Sequence, residues 1–448
     1  RIPNISPAYD SQWEEKGHMT RVAELLRDWV EEQRVDNVRI ELLTPAGRTP
    51  LLLVDVQGTA PGNVLIYGHM DKQPPLSGWR EGLSAFEPVI EGDRLYGRGS
   101  ADDGYAIFSA IGAIKSLQEQ GAPYPRCLIL IEGSEESGSI DLPAYVDELE
   151  DTIGKPELVI CLDSGCGTYD RLWLTTSLRG CVIGNLRVDI LTEGAHSGSA
   201  SGVIPSSFRI IRTLLSRIED EATGDVLLDE LYSPVTELEQ EAVAQVAGLL
   251  KDELTQSFAL VDDARCVSDD PAECFLNRTL KPVLSVTGAD GLPTLLDAGN
   301  VLRPFTAVKL SMRLPPRVDA QVAATAMKEA LEANPPYGAR VCFEIEEPMG
   351  GWSAPPLADW LSTAVQDASS EHFGEAVCSM GEGGSIPFMG MLGEKFPEAQ
   401  FLITGVLGPE SNAHGPNEFL DIPTFKRVTA CVAHVLTEAA KEATSDRV

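Results

Sequence analysis

An α/β fold with a mainly parallel central sheet is predicted for this chain, interrupted by a smaller α+β domain. Three observations predict it. Short apolar runs alternate with helical segments up to about residue 180. Each of several runs stops at small residues followed by an acid or a histidine. Near Arg179-Gly180 the pattern changes to half-polar, alternating strands, and the first pattern returns near residue 349. The 448 residues exceed one ordinary core, so two domains are expected. The division is a discontinuous domain over 1–181 and 349–448, and an inserted one over 182–348.

Each element has its own signal. Residues 13–33 carry helical periodicity, and 37–44 and 50–58 read as strands. Residues 63–71 form an apolar run stopped by Gly68, and 104–121 form a helix closed by Gly121. Residues 126–136 and 157–165 are apolar runs ending in small and acidic residues. Such runs, separated by helices, describe strands covered on both faces. Residues 182–194 alternate as a half-exposed antiparallel strand, and 204–220 are an amphipathic helix. Residues 220–280 are acidic and mostly helical in pattern. Strands follow at 281–290, 306–316 and 339–347, with a helix at 320–334. The chain then resumes helix, strand and helix at 356–374, 399–408 and 423–443.

Composition excludes some functions. Lys+Arg 35 against Asp+Glu 68 gives −33, which disfavours nucleic acid and anionic membrane as partners. No apolar stretch is long enough to be a transmembrane helix, and the first 17 residues lack the apolar region of a signal peptide. The nine cysteines are odd in number and scattered, with Cys127 and Cys161 in apolar runs. They read as buried thiols of a cytoplasmic protein rather than as bridges.

Five motifs fall at strand ends, where ligands bind in open α/β sheets. They are YGHMD (Tyr67 to Asp71), YGRGSADD (Tyr96 to Asp103), EGSEESGS (Glu132 to Ser139), LDSG (Leu162 to Gly165) and SNAHGPNE (Ser411 to Glu418). They offer His69, Asp102, Glu136, Asp163 and His414, enough to hold two divalent cations. Asp71 lies two residues after His69 and can orient it. Adjacent Glu135 and Glu136 repel each other, and a cation on one leaves the other as a base. Each motif also has a plain reading. Asp102-Asp103 could cap the following helix, Glu135-Glu136 could be an exposed turn, and His414 a surface loop residue. His196 sits in another small-residue loop, EGAHSGSASG, and Arg313 in LSMRLPP is either an edge solubiliser or a carboxylate clamp.

In the order YGHMDKQP, LYGRGSADD, EGSEESGS, CLDSG, AHSG and NAHGPNE, these motifs resemble the M20 metallopeptidase family, in particular its carnosinase and cytosolic non-specific dipeptidase branch. The resemblance covers nearly the whole chain from about Trp13. It implies a zinc-peptidase-like catalytic domain with an inserted lid that also makes a homodimer contact. It implies that His69 and Asp163 hold one metal and Glu136 and His414 the other, with Asp102 bridging. The metals expected are Zn²⁺ first, with Mn²⁺ or Co²⁺ fitting nearly as well. Asp71 would orient His69, Glu135 would be the general base, and the Asp102-Asp103 peptide would be cis. His196 and Asn300 would reach a partner's active site, while Arg313 and Ser385 would grip the substrate's carboxylate.

Departures touch no metal ligand. Val301-Leu302-Arg303-Pro304 replaces the usual Val-Ile-Pro, Gly381 stands where an Arg often precedes Glu-Gly-Gly-Ser, and Ser134 and Ser137 replace Glu and Ile. The activity implied is hydrolysis of dipeptides or short peptides with a free carboxylate. An N-acyl amino-acid deacylase on the same site, and a non-catalytic dimeric binding protein, are the competing readings.

Overall fold

The computed structural model describes residues 1–251, 254, 258, 260–384 and 386–445. In chain order its main strands are β1 (Val38–Leu43), β2 (Leu51–Val56), β3 (Asn63–His69), β4 (Arg126–Glu132), β5 (Leu158–Cys161), β6 (Trp173–Leu178), β7 (Gly180–Asp189), β8 (Val283–Asp290), β9 (Phe305–Leu314), β10 (Arg340–Ile345), β11 (Cys378–Glu382) and β12 (Gln400–Ile403). Its main helices are α1 (His18–Gln33), α2 (Ala106–Gln120), α3 (Leu142–Glu148), α4 (Ser207–Leu215), α5 (Ala320–Glu332), α6 (Asp359–His372), α7 (Pro387–Lys395) and α8 (Ile422–Ser445).

The expected apolar runs form a six-stranded sheet ordered β1-β2-β4-β3-β5-β12. β3 pairs in parallel with β4 and β5, and β12 with β5, while β2 joins antiparallel to β4 and β1 to β2. Period-two alternation sends successive β3 side chains to opposite faces. Val64 and Ile66 meet Val22 of α1, Ile107 and Ile111 of α2, Leu361 of α6 and Val432 of α8. Leu65 and Tyr67 meet Tyr145 of α3 and Phe388 of α7. Burying each large aliphatic side chain stabilises by roughly 1.5–3 kcal/mol, so both faces anchor the strand whose last residue is His69.

The inserted segment forms a second sheet, β8-β9-β7-β10, antiparallel throughout. Along β9 every second residue is buried, as its alternating sequence predicts. Leu310 and Met312 pack there with Ile210, Ile211 and Leu214 of α4 and Met327 of α5, a core made entirely within the segment.

Three readings change. The predicted helix 13–33 is broken at Gly17, whose φ of 64° ends a first turn before α1 begins. Within 220–280 the described helices are Glu237–Leu249 and Pro271–Thr279, with turns around them. β6 was not predicted, because its sequence WLTTSL is half polar. Yet Thr175 and Ser177 are buried, and β6 pairs in parallel with β11.

Candidate metal centre

The carboxyl ends of β3, β4 and β5 meet at one edge of the central sheet, with His69 opposite Glu132 in register. Met70 N–H donates to the Glu132 carbonyl at 2.8 Å, so β3 holds on to β4 one residue past its end. The buried His69 side chain thus projects from a strand end held in place by backbone bonds. Its Nε2 lies 3.1 Å from Asp102 Oδ1 and 3.8 Å from Asp163 Oδ2. Its Nδ1 lies 3.3 Å from Asp71 Oδ1.

Asp71 does more than orient the imidazole. Its two oxygens accept the N–H groups of Glu135, at 3.1 Å, and Glu136, at 3.0 Å. One buried carboxylate therefore ties the end of β3 to the tight turn Glu135–Ser137 after β4. Glu136 Oε2 is 3.3 Å from His414 Nε2, which is also 2.9 Å from Asp102 Oδ2. Asp102 so touches both imidazoles, one through each oxygen. The Asp102-Asp103 peptide is cis, as the resemblance implies. Asp103 turns away, and its Oδ2 accepts the His69 N–H at 3.1 Å.

Two overlapping ligand groups result. His69, Asp102 and Asp163 each offer an atom within 4.8 Å of the others, and so do Asp102, Glu136 and His414. Mixed imidazole and carboxylate donors fit divalent transition metals. The electrostatics point the same way. Burial, with Asp102 adding to it, pushes the Glu136 carboxyl up to about 8. Burial also raises Asp163 to about 6, and raises Glu135 with a further contribution from Asp163. Against its own burial, Asp102 is held below the usual carboxylate range by hydrogen bonds from His414 and His69. Acids this crowded suit a site that takes up positive charge.

Several supporting residues were not foreseen. Arg98 is buried and bonds Glu418 at 2.6 Å, while its Nη2 donates to the carbonyls of His414 at 2.9 Å and Gly415 at 2.8 Å. Glu418 in turn accepts the N–H groups of Ala101 and Asp102. This pair clamps the His414 loop onto the Asp102 loop. Gln73 donates to Glu136 Oε2 at 2.5 Å. Arg98, Gln73 and Glu418 all lie inside the motifs read from the sequence, but nothing local distinguishes them from loop polar residues.

A cavity of about 1070 Å³ opens beside this cluster, lined by Gly165, Tyr169, Arg278, Met380, Glu382 and Asn412 among others. At Gly165 a Cβ would lie 2.4 Å from Glu382 Oε1, so a larger residue there would displace the Glu382 carboxylate. At Gly381 a Cβ would lie 2.6 Å from Ser177 Oγ and 3.3 Å from Thr279 Cβ, so a larger residue there needs those side chains to shift. Arginines come from elsewhere. Arg179 donates to the Gly383 carbonyl at 3.0 Å. Its guanidinium is lowered to about 10 by burial and by the nearby charges of Arg313 and Arg278.

The remaining expected residues stand apart. Arg313 is half-buried on β9, in register with Cys181 and Val283. His196 is exposed and pairs with Val301, and the Asn300 carbonyl accepts the Ser197 N–H at 2.9 Å. These two therefore sit side by side on the inserted segment. Among the described residues, His196 belongs to neither ligand group of the cluster. Ser385 lies outside the described residues.

Cysteinylglycine-S-conjugate dipeptidase of Corynebacterium striatum is 27% identical over 392 residues, covering 86% of this chain and 82% of that one. Cys-Gly metallodipeptidase DUG1 of Candida albicans is 26% identical over 374 residues, covering 81% and 75%. The solved structure of the di-peptidase Dug1p from Saccharomyces cerevisiae superposes with a TM-score of 0.77 over 98% of this chain and 94% of that chain. At 22% identity that likeness speaks for the fold. The sequence model of peptidase family M20/M25/M40 matches residues 65–438, and the chain belongs to that family.

Proposed function

We propose that this protein hydrolyses the amide bond of dipeptides, or of other short peptides with a free C-terminal carboxylate, using two divalent cations and Glu135 as general base. The observation that carries this reading is Asp102, shared between two ligand groups, with Glu135 held beside them by Asp71. The two sequence relatives named above are dipeptidases by name, which supports the same substrate class.

His69 and Asp163 would hold one cation, Glu136 and His414 the other, with Asp102 between them. Zn²⁺ is the first choice for this donor set, with Mn²⁺ or Co²⁺ close behind. When bound, such a pair would lower the pKa of an attacking water and polarise the scissile carbonyl. Glu135 takes the proton from the attacking water and returns it to the leaving amine. Its raised pKa, caused by burial and by Asp163, suits both halves of that task. Asp71 keeps Glu135, Glu136 and His69 in one geometry. Arg313, with Ser385, takes the substrate's carboxylate, and the positive field of Arg179 and Arg278 supports this.

Residues 182–348 act as a lid and dimerisation unit in this reading, consistent with their self-contained core. His196 and Asn300 of one copy reach the site of a second, which accounts for their exposed position beside each other. A cytoplasmic location agrees with buried thiols such as Cys127 and Cys161.

The test is a paired metal titration. Chelated protein should be inactive and regain dipeptide hydrolysis as Zn²⁺ returns, with activity saturating near two equivalents. Glu135→Gln should keep both catalytic metals and lose about 10²–10⁴ in kcat. Near-normal turnover in that variant would remove Glu135 as the base.

A further inference from the structure

We propose that Glu371, His372 and His434 form a third divalent-cation site, of the Zn²⁺ or Cu²⁺ class, that clips α6 to α8. One ligand atom from each of the three lies within 4.8 Å of the others. His434 Nδ1 is 3.6 Å from Glu371 Oε2, and the two imidazole rings stand 5.9 Å apart at 81°. Tetrahedral Zn²⁺ with ligands at about 2.0–2.1 Å places those ligands about 3.3 Å from one another. The ligand atoms, within 4.8 Å of one another, must therefore close in by roughly 1 Å to hold the ion.

The backbone beneath it is fixed. Leu361, Ala364, Val365 and Ala368 of α6 pack in one core with Val428, Cys431, Val432 and Val435 of α8. Cys431 Sγ donates to the Ala368 carbonyl at 3.5 Å. Glu371 and His434 each lie three residues beyond that contact, one turn further along the same helix face. The helices thus run in the same sense and bring the two side chains together again. His372 is the last residue of α6, where the negative end of the helix dipole favours a cation. Burial, opposed by Glu371 and aided by His434, holds the His372 imidazole below its ordinary pKa. Glu371 is exposed, which leaves the site open to solvent cations.

This site is separate from the catalytic cluster. β11 begins shortly after His372, and at its far end Glu382 touches Gly165, two residues past Asp163. That strand alone spans about 13 Å. Two imidazoles and one carboxylate leave a fourth position for water.

The experiment counts Zn²⁺ in the intact protein and in the double variant His372→Asn/His434→Asn, by calorimetric titration and elemental analysis after gel filtration. The wild type should bind one equivalent more than the double variant. The variant should still hydrolyse dipeptides at the wild-type rate, and Glu371→Gln should weaken the extra equivalent at least tenfold. Excess Zn²⁺ should also raise the melting temperature of the wild type above that of the variant. Equal stoichiometry in the two proteins overturns the proposal, whatever their activity. So does an extra equivalent that survives in the double variant.

Discussion

Replacing Asp71 by Asn isolates the residue that ties three parts of the metal centre together. The side chain keeps its shape, but an amide has one acceptor oxygen where the carboxylate has two. In either orientation, one of the Glu135 and Glu136 N–H groups loses its acceptor and faces an NH₂ group. Those bonds are 3.1 and 3.0 Å long, and Asp71 is buried. A hydrogen bond to a charged group contributes about 1.5–3 kcal/mol. At about 1.36 kcal/mol per decade, loss of one predicts a fall of roughly 10- to 150-fold in turnover or metal affinity. The assay is kcat on a free dipeptide at saturating Zn²⁺, with metal content and circular dichroism measured on the same sample. A rate within about threefold of wild type would refute the argument that Asp71 sets the position of Glu135, because the geometry allows no substitute acceptor.

Other perturbations test the surrounding parts. Arg98→Met leaves Glu418 buried without its partner and should cost about 3–5 kcal/mol in denaturant unfolding, partly recovered by adding Glu418→Gln. A loss below about 1 kcal/mol would count against the clamp. In chelator, stability should fall as pH rises from about 5 to about 9. Burial raises Asp163 to about 6 and Glu136 to about 8, and the Asp102 hydrogen bond, working against burial, raises His414 to about 9. Each binds more protons folded than unfolded, so each loses its contribution with rising pH. Asp102, held low, has completed its own gain below that window. Melting curves that run parallel with and without bound Zn²⁺ would contradict this. Mixing His196→Ala with Glu135→Ala protein should restore part of the activity that each lacks alone, since one site in a mixed dimer keeps both residues. Verified mixed dimers without recovery would exclude a shared site.

The fold was legible where physics writes it into local pattern. The apolar runs ending at His69, Glu132 and Cys161 are buried on both faces, so hydrophobicity and sheet position coincide. The ligands were legible because strand ends are where an acid has no packing reason to sit. β6 was hidden because Thr175 and Ser177 are buried, and the Ser164 and Thr175 hydroxyls pair with each other in the interior. Arg98 and Glu418 are 320 residues apart in sequence, and no window joins them before folding does. By its spacing in sequence, Asp71 is a partner for His69 alone. Its two bonds to the Glu135 turn depend on β3 and β4 lying side by side, which is a property of register.

Substrate hydrolysis tests the central claim most directly. Metal-loaded protein is given free dipeptides, including β-alanyl-histidine and cysteinylglycine, beside their N-acetylated forms and simple N-acyl amino acids. The account predicts cleavage of the free dipeptides, abolished by chelator and restored by Zn²⁺. Cleavage confined to the N-acyl compounds, or none at all with both cations bound, would contradict it.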